Sequence, residues 1–262
     1  DGTLIEERLE AGPRTIFHQI NRKWIFEPQI ASKVAPGAPC LGALTGIREA
    51  TIAHISLTRG LGCYDFPGNV LQTEQPGSGI KGYRDDGMNP RATVGDILDD
   101  LDQLNDWTAI TKSLRSLNTQ FRSLDLRLPG RDQLEVGYDI NGTLHMLNVA
   151  QESEGFRRYL AHLLALYQTP TKQSVLFEHP ESGIHPGALE SLFHEFDRHV
   201  KRERGQVILT THSPQLLDYF APESIRVVDI EHHATKIGPL APEQLESLRD
   251  NLLHPGELLT VD

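Results

Sequence analysis

Two short apolar runs, at residues 175–177 and 207–209, constrain the fold of this chain more than any other feature of its sequence. Each run is wholly apolar, as in strands that are buried on both faces of a parallel sheet. A stretch with helical spacing, residues 187–204, lies between them, and a third predicted strand follows at residues 225–230. Strands that alternate with helices in this way predict an α/β fold, in which all three strands join a parallel sheet through crossover helices.

Two helices near these strands have well-defined apolar faces. In the helix predicted over residues 156–167, this face consists of Tyr159, Leu160, Leu163, Leu164 and Tyr167. In the helix predicted over residues 187–204, it consists of Leu189, Leu192, Phe193, Phe196 and Val200. Both faces are expected to pack against the sheet.

The first half of the chain reads as short strands, a Gly- and Pro-rich stretch and further helices. Asn141-Gly142 between two alternating runs predicts a β-hairpin. The predicted strands are residues 3–5, 15–20, 23–26, 134–140 and 143–147. Helical patterns occur at residues 47–57, 94–104 and 110–117.

Composition limits the kinds of protein that this chain can be. Its 262 residues carry a formal net charge of −11, so the chain as a whole should repel nucleic acid, and any DNA contact requires a local basic patch. No apolar run approaches the roughly 20 residues that a membrane helix needs. The two cysteines, Cys40 and Cys63, cannot form a disulfide framework, which favours a reducing, cytoplasmic location.

Polar side chains follow two of the predicted strands directly. Glu178 and His179 follow the first, and Thr210, Thr211 and His212 follow the second. Ligands of open parallel sheets bind beyond the carboxyl ends of the strands. A carboxylate there can hold Mg²⁺, and a histidine can donate a hydrogen bond to a phosphate. Alternatively, these residues only end the strands and bond to loop backbone.

The segments SVLFEHPESGIHPGAL, residues 174–189, and QVILTTHSP, residues 206–214, resemble the second half of an ABC-type ATPase head. The similarity is to the AAA ATPase domains related to the SMC, RecF and OLD proteins. It is strong over residues 150–262 and weaker over residues 87–150, where Asp86-Gly87-Met88-Asn89 is similar to a family "DGxN" motif. Three motifs in the family's order are much more specific than any one of them.

The resemblance implies a role for each motif residue. Glu178 corresponds to the Walker B acid, which holds Mg²⁺, and His212 corresponds to the switch histidine. Ser182-Gly183-Ile184-His185-Pro186 corresponds to the D-loop. Ser153, Glu154 and Gly155 correspond to the signature motif, with Ser153 capping the helix that follows. The implied catalytic residues are Glu178, His179 and His212, and the implied nucleotide-binding residues are Ser153, Glu154, Gly155, Gly183 and His185.

The resemblance also implies an architecture and a function. The fold would be an ABC-type P-loop NTPase head with a mixed and parallel sheet, N-terminal β-strands and a helical insertion. Its parts would be a β-rich segment (residues 1–90), the insertion with the hairpin (91–149) and the ATPase lobe (150–262). ATP with Mg²⁺ would join two copies into a homodimer through a nucleotide sandwich, with slow or partner-triggered hydrolysis. DNA or an effector protein would be a further partner, in a DNA-associated or defence-type complex.

The sequence departs from the family pattern in two places. No G-x-x-x-x-G-K-[ST] motif occurs, so we expect the Walker A segment to precede Asp1. The family places a catalytic glutamate directly after the Walker B acid, where this chain has His179. A neutral imidazole can accept a proton but has no negative charge. The alternative function is therefore a non-hydrolysing nucleotide sensor or scaffold that recruits an effector.

Other readings of the polar residues have less support. His179, His185 and His212 with Glu178 could bind zinc in a metallohydrolase, but no helical H-E-x-x-H motif or cysteine pair accompanies them. Glu181 is the nearest carboxylate that could replace the missing catalytic glutamate. The local basic clusters are Arg157-Arg158 and the group of Lys201, Arg202 and Arg204. They are interpreted as helix-surface charges rather than as a DNA footprint, although Arg158 also matches a family arginine beside the signature.

Overall fold

The computed structural model describes residues 6–11, 14–21, 23–26, 48–58, 60–72, 83–85, 87, 89–99, 104–127, 133–231, 234–250 and 252–259. The chain divides into two compact units, Asp1–Leu61 and Gly62–Asp262. The predicted strand at residues 3–5, the loop at residues 76–82 and two positions of the DGxN motif, Asp86 and Met88, lie outside the described residues.

The smaller unit contains an antiparallel sheet and a helix. Its strands are β1 (Glu6–Ala11), β2 (Arg14–Ile20) and β3 (Lys23–Phe26), which lie in chain order. Helix α1 (Arg48–Thr58) follows. The structure confirms three predicted elements, with ends that agree to within one residue. They are the strands at residues 15–20 and 23–26 and the helix at residues 47–57.

The sheet that carries the predicted ligand edge has the order β4-β8-β9. Strand β4 is Leu61–Tyr64, β8 is Ser174–Glu178 and β9 is Gln206–Thr210. Strands β8 and β9 are parallel, with Glu178 opposite Thr210. The parallel pairing predicted from the two apolar runs is therefore confirmed, whereas β4 was not predicted.

Helices cover this sheet and form the core with it. They are α2 (Pro90–Asp99), α3 (Leu104–Leu117), α4 (Glu154–Tyr167) and α5 (Leu189–Lys201). Every residue of α4 from Tyr159 to Tyr167 is buried, because that helix is apolar around most of its circumference and α2, α3 and α5 pack against it. The predicted apolar face of α4 is confirmed.

The predicted stripe of α5 is wrong at one position. Val200 is 48% exposed, whereas Glu195 and His199 are buried. With 3.6 residues per turn, positions 192, 195, 196 and 199 share one face, and Val200 lies about 100° further round. The Glu195 carboxylate is satisfied inside the protein, since it accepts hydrogen bonds from the Tyr167 hydroxyl and the Arg198 guanidinium, each at 2.7 Å.

A separate antiparallel sheet contains β5 (Phe121–Arg127), β6 (Gln133–Ile140) and β7 (Thr143–Asn148). The predicted hairpin joins β6 and β7. Asn141 and Gly142 both have positive φ, 54° and 81°, as the two central residues of a tight hairpin turn require. The side chain of Asp139 accepts a hydrogen bond from the Gly142 N–H at 2.9 Å.

The prediction that residues 225–230 join the parallel sheet is wrong. Strand β10 (Arg226–Glu231) pairs antiparallel with β11 (Ala234–Pro239) in a two-stranded sheet. The apolar side chains of β10 are largely exposed and alternate irregularly with the charges of Arg226, Asp229 and Glu231. A strand buried on both faces of a parallel sheet cannot carry such charges. Short helices α6 (Pro214–Leu217) and α7 (Pro242–Arg249) flank this hairpin in the chain.

Candidate functional site

The site is built at the carboxyl ends of β8 and β9. Glu178 ends β8 and is exposed, and its carboxylate has no hydrogen-bond partner within the described part of the chain. The next residue, His179, donates its backbone N–H to the Thr210 carbonyl at 3.1 Å. His179 has φ of 44°, in the left-handed region, so the chain turns sharply away from the sheet there. Glu178 is thus left pointing into open space at the strand end.

His179, Glu181 and His212 form one cluster beside Glu178. The two imidazole rings stack with 5.3 Å between their centroids and an angle of 24° between their planes. One oxygen of Glu181 lies 3.6 Å from Nδ1 of His179 and accepts the His212 backbone N–H at 3.3 Å. The other oxygen, Oε2, is buried and has no hydrogen-bond partner among the described residues. The sequence therefore identified the two histidines, and the structure adds Glu181 as the group that joins them.

The segment predicted as the D-loop is a compact double turn. Ser182 donates its N–H to the His179 carbonyl at 3.0 Å, and Ile184 donates to the Glu181 carbonyl at 3.1 Å. Gly183 has φ of 70°, which favours glycine. His185 caps the 3₁₀ turn at Pro186–Ala188, because its Nδ1 accepts the Gly187 N–H at 3.0 Å. This capping role accounts for His185 structurally, and its predicted contact with nucleotide stays a prediction.

The start of α4 lies against this double turn. Ser153 Oγ accepts the Phe156 N–H at 3.3 Å, which confirms the predicted helix cap. A β-carbon on Gly155 would lie 2.9 Å from the Gly183 carbonyl oxygen, and one on Gly183 would lie 2.8 Å from Glu154 Oε1. Only glycines allow this approach. Glu154, Gly155 and Gly183, which the sequence placed in two separate motifs, therefore form one surface beside the free N–H groups of a helix N-terminus.

Two arginines of α4 were wrongly interpreted as surface charges. Arg157 is buried and donates hydrogen bonds to the carbonyls of Val70 and Gly68, both at 2.9 Å, and to that of Glu152. Arg158 bonds to Glu154 at 2.8 Å and to the Phe66 carbonyl at 2.6 Å. Their targets, apart from Glu152 and Glu154, lie in residues 66–70, and no sequence pattern links that segment to α4. The two arginines fasten it against the start of the helix.

A buried histidine supports the same helix. His162 lies edge-on to Phe66 at 5.0 Å and close to Phe177 of β8 at 4.9 Å. Its Nδ1–H donates to the Arg158 carbonyl at 2.6 Å. Burial lowers the pKa of His162 from 6.5 to about 4, so this ring is neutral near pH 7 and packs as an aromatic group.

The donor set fits a hard cation bound through few protein ligands. Glu178 offers a free carboxylate, and Mg²⁺ in phosphate sites usually takes one or two carboxylates together with water and phosphate oxygens. Within the described residues, no three His, Cys, Asp or Glu side chains converge as a zinc site requires. The zinc reading of His179, His185 and His212 therefore has no geometric support. In the same described part of the chain, no helix is both long and apolar enough to cross a membrane.

A profile of the family described as "AAA domain, putative AbiEii toxin, Type IV TA system" matches residues 75–218, more than half of the chain. That region contains the signature residues, β8, the double turn and β9. The search of curated proteins gave no match.

Three solved structures resemble parts of the chain. One comes from work on ATP-driven dimerisation and DNA-stimulated activation of SMC ATPases, with 15% identity, a TM-score of 0.41, and coverage of 57% of this chain and 94% of that one. The second is an Smc head domain with a coiled coil and joint from Pyrococcus yayanosii, at 14% identity, TM-score 0.40, and 58% and 30% coverage. The third is an SmcHead bound to the C-terminal winged-helix domain of ScpA, at 12% identity, TM-score 0.47, and 92% and 69% coverage.

Proposed function

The chain belongs to this family of AAA domains, and from that membership we propose that it binds ATP with Mg²⁺ and dimerises in response to ATP. The family resemblance noted in the sequence motifs is confirmed by the match. The close packing of Gly155 against Gly183 is the observation that most supports the proposal, because it unites the signature residues and the D-loop residues in one surface. A nucleotide held by a partner copy would meet both motifs on that surface.

Each residue has a distinct role in this proposal. Mg²⁺ supplies positive charge that neutralises phosphate oxygens when it is bound. Glu178 would hold that cation, and the His212 ring would donate a hydrogen bond to a terminal phosphate. Ser153, Glu154 and Gly155 would present the helix N-terminus to the nucleotide of the other copy.

His179 decides whether hydrolysis accompanies binding. In the hydrolysing form of the proposal, its neutral ring accepts a proton from the attacking water, while Glu181 stabilises the imidazolium that results. Hydrolysis would be slow or triggered by a partner, in a DNA-associated or defence-type complex. The ATP-dependent dimer would be the active form.

A second candidate function is a nucleotide sensor or scaffold that does not hydrolyse ATP and recruits an effector. The contacts of His179 favour it. Its backbone N–H is bonded to the Thr210 carbonyl, and its ring stacks on His212 and lies beside Glu181. A residue held in this way can stabilise the strand end without taking part in proton transfer.

The test is ATP-dependent dimerisation of the full-length protein. Ser153→Arg should abolish the ATP-dependent dimer in light scattering while ATP binding to the monomer persists, because the signature acts across the interface. Glu178→Gln should instead weaken the Mg²⁺ dependence of binding. Ser224→Arg adds the same charge at an exposed position and serves as the control. Normal dimerisation of the Ser153 variant would contradict the proposal.

A further inference from the structure

A cavity of about 550 Å³ lies between α3 and the end of α5. Four cationic side chains line it. They are Lys112 from α3, Arg198 from α5, and Arg202 and Arg204 from the segment that leads into β9. Their convergence is unexpected in a chain with a net charge of −11.

Only part of this positive charge is neutralised within the protein. Arg204 makes two hydrogen bonds of 2.7 Å to Asp106, whose side chain is 1% exposed, and Arg198 pairs with Glu195 at 2.7 Å. Arg202 reaches Asp106 only at 3.7 Å. Lys112 has no ion-pair partner within the described residues. Once Asp106 is paired with Arg204 and Glu195 with Arg198, Lys112 and Arg202 remain as excess cations.

The Asp106–Arg204 pair gives the cavity a fixed wall. A buried carboxylate that accepts both nitrogens of one guanidinium holds that group in a single orientation. The ring of Tyr167 packs against the same guanidinium, with 5.8 Å from the Arg204 carbon to the ring centroid. Arg204 is therefore a structural group, and the side chains that can reach a ligand are the more exposed Lys112, Arg198 and Arg202.

The cavity lies at the end of the sheet away from Glu178. Ser174 and Gln206 are opposite each other at the starts of the parallel strands β8 and β9, and Arg204 directly precedes that end. Glu178 and Thr210 are opposite each other at the other end. Each of these strands is five residues long, so its two ends lie roughly 13 Å apart. A ligand in the cavity would therefore not occupy the rim of His179 and His212.

We propose that this cavity is a second anion site, which binds phosphate groups of a ligand other than the nucleotide at the strand ends. Its volume lies within the roughly 300–1,000 Å³ of ordinary ligand pockets. One guanidinium group can donate two parallel hydrogen bonds to the oxygens of a phosphate, and the flexible side chain of a lysine adds a further positive charge. The phosphates belong either to a free phosphorylated molecule or to the backbone of a single-stranded nucleic acid. Both would present the same negatively charged phosphate oxygens to the cationic side chains of the cavity. The proposal does not depend on the proposed ATPase function.

The test is binding of two probes to the folded chain at an ionic strength of about 0.15 M, where exposed charges outside the cavity are screened. The probes are inorganic pyrophosphate, measured by calorimetry, and a fluorescent oligothymidylate, measured by anisotropy. The double variant Lys112→Gln with Arg202→Gln should weaken binding by about tenfold or more, since two charge-assisted contacts are lost. Binding of pyrophosphate alone identifies a free phosphorylated ligand, and binding of the oligonucleotide alone identifies a phosphodiester chain.

The matched control is Arg115→Gln with Lys201→Gln. These exposed cations belong to the same helices but do not line the cavity, and their removal changes the net charge equally. The control should change affinity by less than about twofold, because charges outside the cavity are screened. The proposal is overturned if neither probe binds or if both double variants weaken binding equally.

Discussion

Gly155 packs so closely against Gly183 that a β-carbon on Gly155 would lie 2.9 Å from the Gly183 carbonyl oxygen. We predict that Gly155→Ala lowers the free energy of unfolding by about 1–3 kcal/mol, because the backbone of the double turn must move to admit the methyl group. Denaturant unfolding measures this loss. In the full-length protein, the same substitution should weaken the proposed ATP-dependent dimer.

Gly95→Ala is the matched control for that substitution. Gly95 also lies in a helix, but its β-carbon would meet only Leu126, at 3.9 Å. Alanine should therefore stabilise the protein by about 0.5–1 kcal/mol through its higher helix propensity. If the two substitutions had equal effects, the close approach of Gly155 to Gly183 would have no energetic importance.

Arg157 holds residues 68–70 against α4 through the carbonyl groups of Gly68 and Val70, and it also donates to the carbonyl of Glu152. We predict that Arg157→Leu lowers the free energy of unfolding by about 3 kcal/mol, since buried carbonyls lose charged donors. Limited proteolysis should then cut within residues 65–72, which the native protein protects. Arg115→Leu, at an exposed position in the last turn of α3, should change stability by at most about 0.5 kcal/mol. Equal protection in both variants would contradict a fastening role.

The sequence predicted the parts of the fold in which local pattern and tertiary packing agree. The apolar runs predicted the parallel pairing of β8 and β9, although Ile208 of β9 is 42% exposed, and Asn141-Gly142 adopts the positive φ angles of a hairpin turn. It failed for residues 225–230, because a short strand pattern can equally form an exposed hairpin strand. The charges of Arg226, Asp229 and Glu231 distinguish such a strand from a buried one.

The same limit applies to the candidate site. Glu178, His179 and His212 were predictable because parallel strands bring their carboxyl ends to one edge. The burial of Arg157 was not, since its carbonyl partners lie 87 and 89 residues away in the chain and carry no side-chain signature. Every residue has the same backbone carbonyl acceptor, so the sequence does not show which segment of the chain a buried arginine will bind.

His162 should make stability depend on pH below neutrality. Burial lowers its pKa to about 4, whereas the unfolded chain has the ordinary value of 6.5. Between these two pKa values the unfolded state binds more protons than the folded state. The contribution of His162 to the free energy of unfolding is therefore complete above pH 6.5 and is lost as the pH falls towards 4. The loss amounts to roughly 3 kcal/mol. Urea unfolding across this pH range measures it.

His162→Phe should remove that part of the pH dependence, because phenylalanine can occupy the aromatic environment of Phe66 and Phe177 without titrating. His194→Gln, at an exposed position of α5, is the control and should leave the slope unchanged. The assignment is wrong if stability declines equally steeply in acid with phenylalanine at position 162.

His179 stands where the resemblance places a catalytic glutamate, and Glu181 lies 3.6 Å from its Nδ1. In the full-length protein, we predict that His179→Glu raises the single-turnover hydrolysis rate by on the order of 10²-fold. The glutamate side chain reaches further than that of histidine, and its carboxylate carries the negative charge that favours proton transfer from water.

His179→Gln separates general-base catalysis from a change in shape, since the amide matches glutamate in size but cannot take up the proton. The glutamate variant should therefore be faster than both the native and the glutamine proteins at equal ATP occupancy. The scaffold function predicts the reverse. If His179 serves only to hold the strand end between Thr210 and His212, glutamate brings a second carboxylate close to Glu181, and the repulsion destabilises the turn without any gain in rate. A rate that is unchanged or lowered, with ATP binding intact, decides for a protein that clamps on ATP and does not hydrolyse it.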